Sequence, residues 1–360
     1  MSGKVKVAVL GATGMIGQRF VEMLEDHPYF EIEGLYASER SEGKRFGDTL
    51  KVRDYSYKQE TLDMKISKMD VDHISKACRI AFSGIPSELA GPTETELAQK
   101  GVAVFTNAGS HRMDPHVPII VPEVNTDQFC SIKDQDTYGN GGYIVTDDRG
   151  NTSMGTGVLL TADGYIVTNA NCSSTGIVVP LRALNDAFGL NEVFVSTYQA
   201  ISGAGYPGVP SLDIVGNVIP FISHEEEKME TELAKMLGTY ADGEFKYAGF
   251  KVMANCARVP VIDGHTESLV IDMKESPPIE EVAKVLADFR GEPQKLGLPS
   301  APEQPIIVRA EENRPQPIYD VFAGTPDRAR GMASSVGRIR CSNGYYKMWV
   351  VSHNTLRGGA

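Results

Sequence analysis

Val5-Lys6-Val7-Ala8-Val9-Leu10, followed without a break by Gly11-Ala12-Thr13-Gly14-Met15-Ile16-Gly17, is the stretch that decides the fold. The first six residues suit a buried strand, and Phe20, Val21 and Leu24 beyond the glycines recur at helical spacing. A strand that opens through glycines into a helix leaves the first amide N–H groups of that helix free to meet an anion, and such a turn binds a dinucleotide pyrophosphate. Gly11, Gly14 and Gly17 form a G-x-x-G-x-x-G variant of that fingerprint. Glycine turns also occur as plain structural turns, so the flanking strand and helix carry the nucleotide reading.

A second apolar run ends in Ala37-Ser38-Glu39-Arg40-Ser41, which offers hydroxyls and a guanidinium to a ribose 2′-phosphate. NADP is therefore expected over NAD, although Glu39 could instead take a 2′-hydroxyl. Ser83-Gly84-Ile85-Pro86-Ser87 follows another strand-like run and is expected to line the same crevice, through Ser83, Pro86 and Ser87. Arg79 to Phe82, Val102 to Phe105 and Ile119 to Val121 continue the alternation of strand and helix, which reads as a parallel doubly wound sheet. The middle of the chain changes character. Val193 to Tyr198, Val252 to Ala254, Val259 to Ile262 and Ser268 to Met273 are β-rich, with helices expected near Glu225 to Leu237 and Ile279 to Phe289 and a late strand at Tyr345 to Ser352. This is an α+β pattern, so the fold class is α/β with an α+β second half.

Composition excludes several functions. The 360 residues are 41% hydrophobic and 23% charged, ordinary for a globular protein with room for two cores. A net charge of -12 gives no basic face for a nucleic-acid backbone. No apolar run reaches the roughly 20 residues of a membrane span, and Met1-Ser2-Gly3-Lys4 leads directly into a strand, so a cytoplasmic location is expected. Five cysteines, Cys78, Cys130, Cys172, Cys256 and Cys341, include no CxxC pair and no histidine at metal spacing. Neither a disulfide framework nor a metal site is indicated.

Cys172 stands apart from the other four because of its setting, Asn169-Ala170-Asn171-Cys172-Ser173-Ser174-Thr175-Gly176, ahead of Ile177-Val178-Val179-Pro180-Leu181. A thiol where small polar residues turn into a helix meets amide N–H groups that favour the thiolate. A nucleotide turn and a cysteine nucleophile together suggest aldehyde oxidation through a thioester.

These motifs, with Gln199, Ser202-Gly203-Ala204-Gly205, Arg258 and Gly264-His265-Thr266-Glu267-Ser268, resemble aspartate-semialdehyde dehydrogenase, its archaeal and fungal branch above all. The resemblance covers nearly the whole chain except about Asp134 to Thr168. It implies a Rossmann-type NADP-binding domain over 1–170, a catalytic and dimerisation domain over 171–355, and a homodimer or homotetramer. The implied reaction is the reversible NADPH-dependent reduction of L-4-aspartyl phosphate to L-aspartate 4-semialdehyde and phosphate, within lysine, threonine and methionine biosynthesis. In it Cys172 is the nucleophile, His265 the acid/base, Gln199 orients the thioester carbonyl and Asn171 donates to the oxyanion. Arg258 clamps the substrate carboxylate, Glu225 meets its amine, and Lys228 and Arg112 bind phosphate. Without the resemblance, Glu225-Glu226-Glu227-Lys228 reads as a solvated helical face. Further implied cofactor contacts are Thr13, Met15, Ile16, Asn107, Ser202, Gly203 and Asn354.

Two departures stand out. Gly-Tyr-Ile-Val-Thr occurs at Gly142 to Thr146 and again at Gly164 to Thr168, which reads as a hairpin-like insert before Cys172. Gly155 to Asn169 also resembles the strand that carries the histidine of HtrA-type serine proteases. However, Asn171 stands where that histidine would fall and no Gly-Asn-Ser-Gly-Gly motif is present, so a protease reading has little to rest on. The second departure is the end of the sequence, where residues 356–360 read as the truncated start of a C-terminal helix whose loss would expose an apolar groove near Asn354. The rival readings are a malonyl-CoA reductase, which would not need the amine partner Glu225, and a catalytically impaired nucleotide-binding protein.

Overall fold

The computed structural model describes residues 4–52, 54–140, 143–147 and 171–358. The N-terminal half is built on one sheet: β1 (Val5–Leu10), β2 (Phe30–Ala37), β3 (Ile66–Lys68), β4 (Ile80–Ser83), β5 (Ala103–Thr106), β6 (Ile119–Ile120) and β7 (Tyr143–Asp147). Its spatial order is β3-β2-β1-β4-β5-β7-β6, with every pairing parallel. The chain winds outward in both directions from the β1/β4 pair, so a crevice opens beyond their carboxyl ends. Gly11 leaves β1 and Gly84 leaves β4 at that point. Gly11 has a φ of +74°, and a Cβ there would lie 2.5 Å from the Gly84 carbonyl oxygen. Only glycine fits this crossing.

The C-terminal half holds a second sheet: β8 (Leu190–Gln199), β11 (Lys251–Arg258), β12 (His265–Met273), β13 (Ile306–Arg309), β14 (Ser334–Ser342) and β15 (Tyr345–Ser352), ordered β11-β8-β12-β15-β14-β13 and of mixed direction. A small ribbon, β9 (Thr239–Ala241) with β10 (Glu244–Lys246), stands apart from it. Helices Cys172–Phe188, Glu225–Met236 and Ile279–Asp288 cover one face. Val178, Leu181, Met229, Leu233 and Leu286 pack there against Val193, Val195, Leu269 and Ile271, all fully buried or nearly so. The opposite face carries Phe194, Tyr198 and Met253, partly exposed, with Tyr198 stacked on Trp349 at 5.5 Å between centroids. β8 thus alternates between a packed core and an uncovered face that carries Phe194 and Tyr198.

Three sequence expectations change. Tyr143–Asp147 is a strand of the main sheet, held by β5 along Tyr143 to Thr146 and by β6 at Thr146 and Asp147. Parallel partners on both edges make it a structural strand, not one arm of a hairpin. The second Gly-Tyr-Ile-Val-Thr lies outside the described residues. Val259 to Ile262 is not a strand; Pro260 has no N–H to give a ladder, and the segment instead accepts the amides of Ile201 and Ser202 at the carbonyls of Val261 and Ile262. At the end of the chain, His353 to Gly358 is buried in place of an open groove, with Leu356 packed on Met23, Ala329 and Met332. Among the described residues no helix is long and apolar enough to cross a membrane.

The glycine turn gives a stability test. A Cβ at Gly17 would lie 2.1 Å from the Gly11 carbonyl oxygen, a backbone atom that cannot swing aside. Gly17→Ala should destabilise the fold by about 1–3 kcal/mol and weaken nucleotide binding, as read by thermal melting with and without NADPH. An unchanged melt would mean that the turn is looser than this packing.

Candidate active site

The register of the second sheet brings the catalytic candidates together. Arg258 pairs with Gln199 across β11 and β8, and Thr266 pairs with Tyr198, which sets His265 beside Gln199 on the helix-covered face. The helix Cys172–Phe188 crosses this face and delivers its first residue to His265. The Cys172 Sγ lies 3.2 Å from His265 Nε2, and both residues are buried. The Ala200 amide donates to His265 Nδ1 at 3.1 Å, so the neutral ring carries its proton on Nε2, facing the sulfur. The nitrogen at the Cys172 sulfur is therefore a donor. The acid half of the expected acid/base role has its geometry here and the base half does not.

The helix start does not favour the thiolate as expected. Asn171 Oδ1 accepts the amides of Ser173 and Ser174 at 3.0 and 3.2 Å, so the oxygen of this N-cap already occupies two first-turn donors. Burial pushes the Cys172 thiol well up, aided by the Glu225 carboxylate, while Arg258 and Arg112 pull it down. Burial likewise holds His265 well below its ordinary value, with Arg258 adding to the effect. The resting pair is a thiol and a neutral imidazole.

Around this pair Gln199, Glu225 and Arg258 form one linked set. Gln199 Nε2 donates to Glu225 at 2.8 Å, and Arg258 Nη1 donates to the Ala200 carbonyl at 2.8 Å and to Gln199 Oε1 at 3.4 Å. Gln199 is thus tied to two of the substrate-binding candidates instead of pointing freely at a carbonyl. Gly203 is packed so that a Cβ would meet Arg258 Nη1 at 2.7 Å and the His265 ring at 2.9 Å. Asn354 accepts the Gly264 amide and donates to Ser202, each at 2.8 Å, which fixes the loop before His265. Gly358 lies against the nucleophile: a Cβ there would be 2.9 Å from that of Cys172. Lys228 is half-buried one turn beyond Glu225.

Arg112 joins the set through a residue the sequence reading missed. Glu232 accepts Arg112 Nη1 at 3.0 Å and the Asn171 amide at 2.6 Å, so one buried carboxylate ties the guanidinium to the nucleophile's loop. Arg112 Nη2 also donates to the Asn107 carbonyl. Lys235, one turn on, donates to the carbonyls of Arg112 and Val117 at 2.7 and 2.9 Å, and burial lowers its pKa to about 8. Glu225, Glu232 and Lys235 follow one buried stripe with Met229 and Met236, the i, i+4, i+7, i+11 pattern of a packed helix face. That interleaving of charge with methionine was the available signal against a solvated run.

The nucleotide crevice is a cavity of about 420 Å³ whose lining includes Gly11, Thr13, Gly14, Ser38 and Pro86 of the expected set, together with Lys51, Met69 and Leu89. Gly14 caps its helix without a side chain, which leaves the first-turn amides to a ligand, in contrast to Asn171. Met15 and Ile16 begin that helix but do not line the cavity, and Arg40 and Ser41 stand outside it on an exposed turn. Ser83 is a correction: its hydroxyl donates to the buried Glu94 at 2.6 Å and so serves the core of this half. Ser87 is exposed, its carbonyl accepting Ser110.

Residues 6–132 match the family model for the semialdehyde dehydrogenase NAD binding domain, and residues 181–357 that for the semialdehyde dehydrogenase dimerisation domain. The chain is 43% identical over 360 residues to the aspartate-semialdehyde dehydrogenase of Methanothermobacter thermautotrophicus, covering 99% of this chain and 96% of that protein. It belongs to the aspartate-semialdehyde dehydrogenase family. The Schizosaccharomyces pombe member is 42% identical, with 99% and 94% covered. The crystal structure of the Candida albicans enzyme with NADP superposes at a TM-score of 0.82, with 36% identity and 99% and 95% covered.

Glu267, two residues beyond His265 on the same face, has neither carboxyl oxygen hydrogen-bonded among the described residues. Burial raises its pKa well above the usual carboxylate range. An unfolded glutamate ionises near pH 4.3, at about that value. The folded chain keeps the proton to higher pH, so this stability contribution is complete at acid pH and is lost as pH rises toward the folded value. Glu267→Gln should therefore gain stability relative to the native protein as pH increases from about 5 to 8, measured by urea unfolding; parallel curves would show that Glu267 titrates normally.

Proposed function

We propose that this chain reduces L-4-aspartyl phosphate to L-aspartate 4-semialdehyde, reversibly, through a thioester on Cys172. The observation that carries the reading is the buried Cys172–His265 contact, with the Nε2 proton directed at the sulfur. The Cys172 thiolate attacks the acyl carbon, the bond from that carbon to the phosphate oxygen breaks, and phosphate leaves with the electron pair and takes up one proton from solvent. NADP is the cofactor, and in its reduced form supplies the hydride that reduces the thioester. The hemithioacetal oxyanion on Cys172 then collapses to the aldehyde, returning the carbon–sulfur electrons to the thiolate. Each cycle begins and ends with a thiolate, so the sulfur's proton is lost once, to solvent, before the first turnover. His265 Nε2–H stabilises the sulfur anion in both steps, which suits a donor. Arg258 and Glu225 take the carboxylate and amine of the substrate, and Arg112 and Lys228 the phosphate. We divide the cofactor and catalytic halves between residues 170 and 171, within the interval between the two family-model matches.

The chain carries a dimerisation domain. We assign its use to the uncovered sheet face around Phe194, Tyr198 and Met253, as a homodimer that can pair further into a tetramer. Light scattering of the purified protein separates one, two and four copies, and a monomer would reject this assignment.

The function is tested by phosphate-dependent reduction of NADP+ in the presence of L-aspartate 4-semialdehyde. Turnover that requires phosphate is expected, and Cys172→Ala should abolish it while NADPH still binds. Activity surviving in the variant would remove the thioester route. Turnover with malonyl-CoA in place of aspartyl phosphate would instead favour the reductase alternative.

A further inference from the structure

Lys51 is the one charged side chain among the residues that line the nucleotide cavity. It is half-buried, and no carboxylate stands within ion-pair distance of it among the described residues. Its position is fixed from the backbone. Gln18, fully buried on the helix that leaves the glycine turn, accepts the amides of Lys51 and Val52 at 2.8 and 2.9 Å and donates to the Thr49 carbonyl at 2.9 Å. The Lys51 loop is therefore stapled to the same helix whose uncapped first-turn amides face the cavity.

The other side of Lys51 points to the catalytic half. Its Nζ lies 4.9 Å from the centroid of Tyr206, three residues beyond the Gly203 that packs on His265. Lys51 thus stands between the glycine turn and the loop after β8 that packs on His265. Arg40, on its exposed turn after β2, does not line this cavity.

We propose that Lys51 neutralises the pyrophosphate of the bound cofactor, seated from the catalytic half by the Tyr206 ring. This rests on the NADP reading of the glycine turn. Partial charges at a helix terminus amount to roughly half an elementary charge, too little alone for a pyrophosphate, and a lysine supplies the rest as a point charge. The cation–π contact holds the ammonium near the anion without competing for it as a carboxylate would.

Ligand binding without turnover tests the assignment. Fluorescence titration compares NADPH and NADH on the native protein, Lys51→Met and Lys51→Arg, and calorimetry does the same for ADP-ribose and 2′-AMP. Lys51→Met should weaken NADPH, NADH and ADP-ribose by a similar factor, about tenfold or more, and leave 2′-AMP unchanged, while Lys51→Arg recovers most of the loss. The salt dependence of NADH binding should also become shallower in Lys51→Met. A loss confined to NADPH and 2′-AMP would move Lys51 to the 2′-phosphate, and unchanged binding of all four ligands would remove it from the site; either overturns the proposal. If the native protein bound none of the four, the nucleotide reading itself would fail, a result distinct from both. Circular dichroism confirms that the loop variants fold.

Discussion

A thiol and an imidazole shut away from water, 3.2 Å apart, set the terms for everything around them. Neither ionises easily there, because burial opposes the charged form of each. The structure answers with fixed polar groups instead of solvent. The Ala200 amide sets the imidazole tautomer, Asn171 completes the start of the Cys172 helix, and Arg258 and Arg112 supply positive charge. Such groups need no reorganisation when negative charge develops on sulfur or on a substrate oxygen.

Holding those groups still requires buried charge, which is costly to desolvate unless paired. The helix Glu225–Met236 meets that demand. Its Glu232 joins Arg112 to the Asn171 amide, its Lys235 is spent on two carbonyls, and its Glu225 meets Gln199. Gln128 in turn donates to the carbonyls of Lys235 and Gly238 at 2.9 and 3.0 Å, closing the helix's C-terminal end. The two halves of the molecule meet through this helix and through the tail, where Arg19 of the cofactor half donates to Thr355 at 3.2 Å. Gly358 brings that tail onto Cys172, so cofactor domain, tail and the Cys172 helix are mechanically joined.

Much of this was legible in the sequence because local signals and global fold agree. The glycine turn, the alternating strands and the setting of Cys172 are short-range patterns whose physics does not depend on distant partners. The misreadings concern residues whose partners lie far along the chain. Ser83 looked like a crevice residue until Glu94, eleven positions away, took its hydroxyl. Lys51 gives no signal in sequence, since its place in the cavity comes from Gln18 and Tyr206. Glu232 and Lys235 were hidden in a charged run whose one signal was the methionines interleaved with the charges at helical spacing. The first Gly-Tyr-Ile-Val-Thr reads equally as hairpin or core strand by periodicity; pairing with β5 and β6 decides between them.

The central claim is a covalent one, and mass spectrometry addresses it directly. Native protein incubated with NADP+ and L-aspartate 4-semialdehyde, without phosphate, and quenched in acid should gain the mass of one aspartyl acyl group, mapped by peptide digestion to Cys172. Phosphate added before the quench should discharge it. An unmodified Cys172 peptide under conditions that produce NADPH, or an acyl group on another residue, would contradict the account.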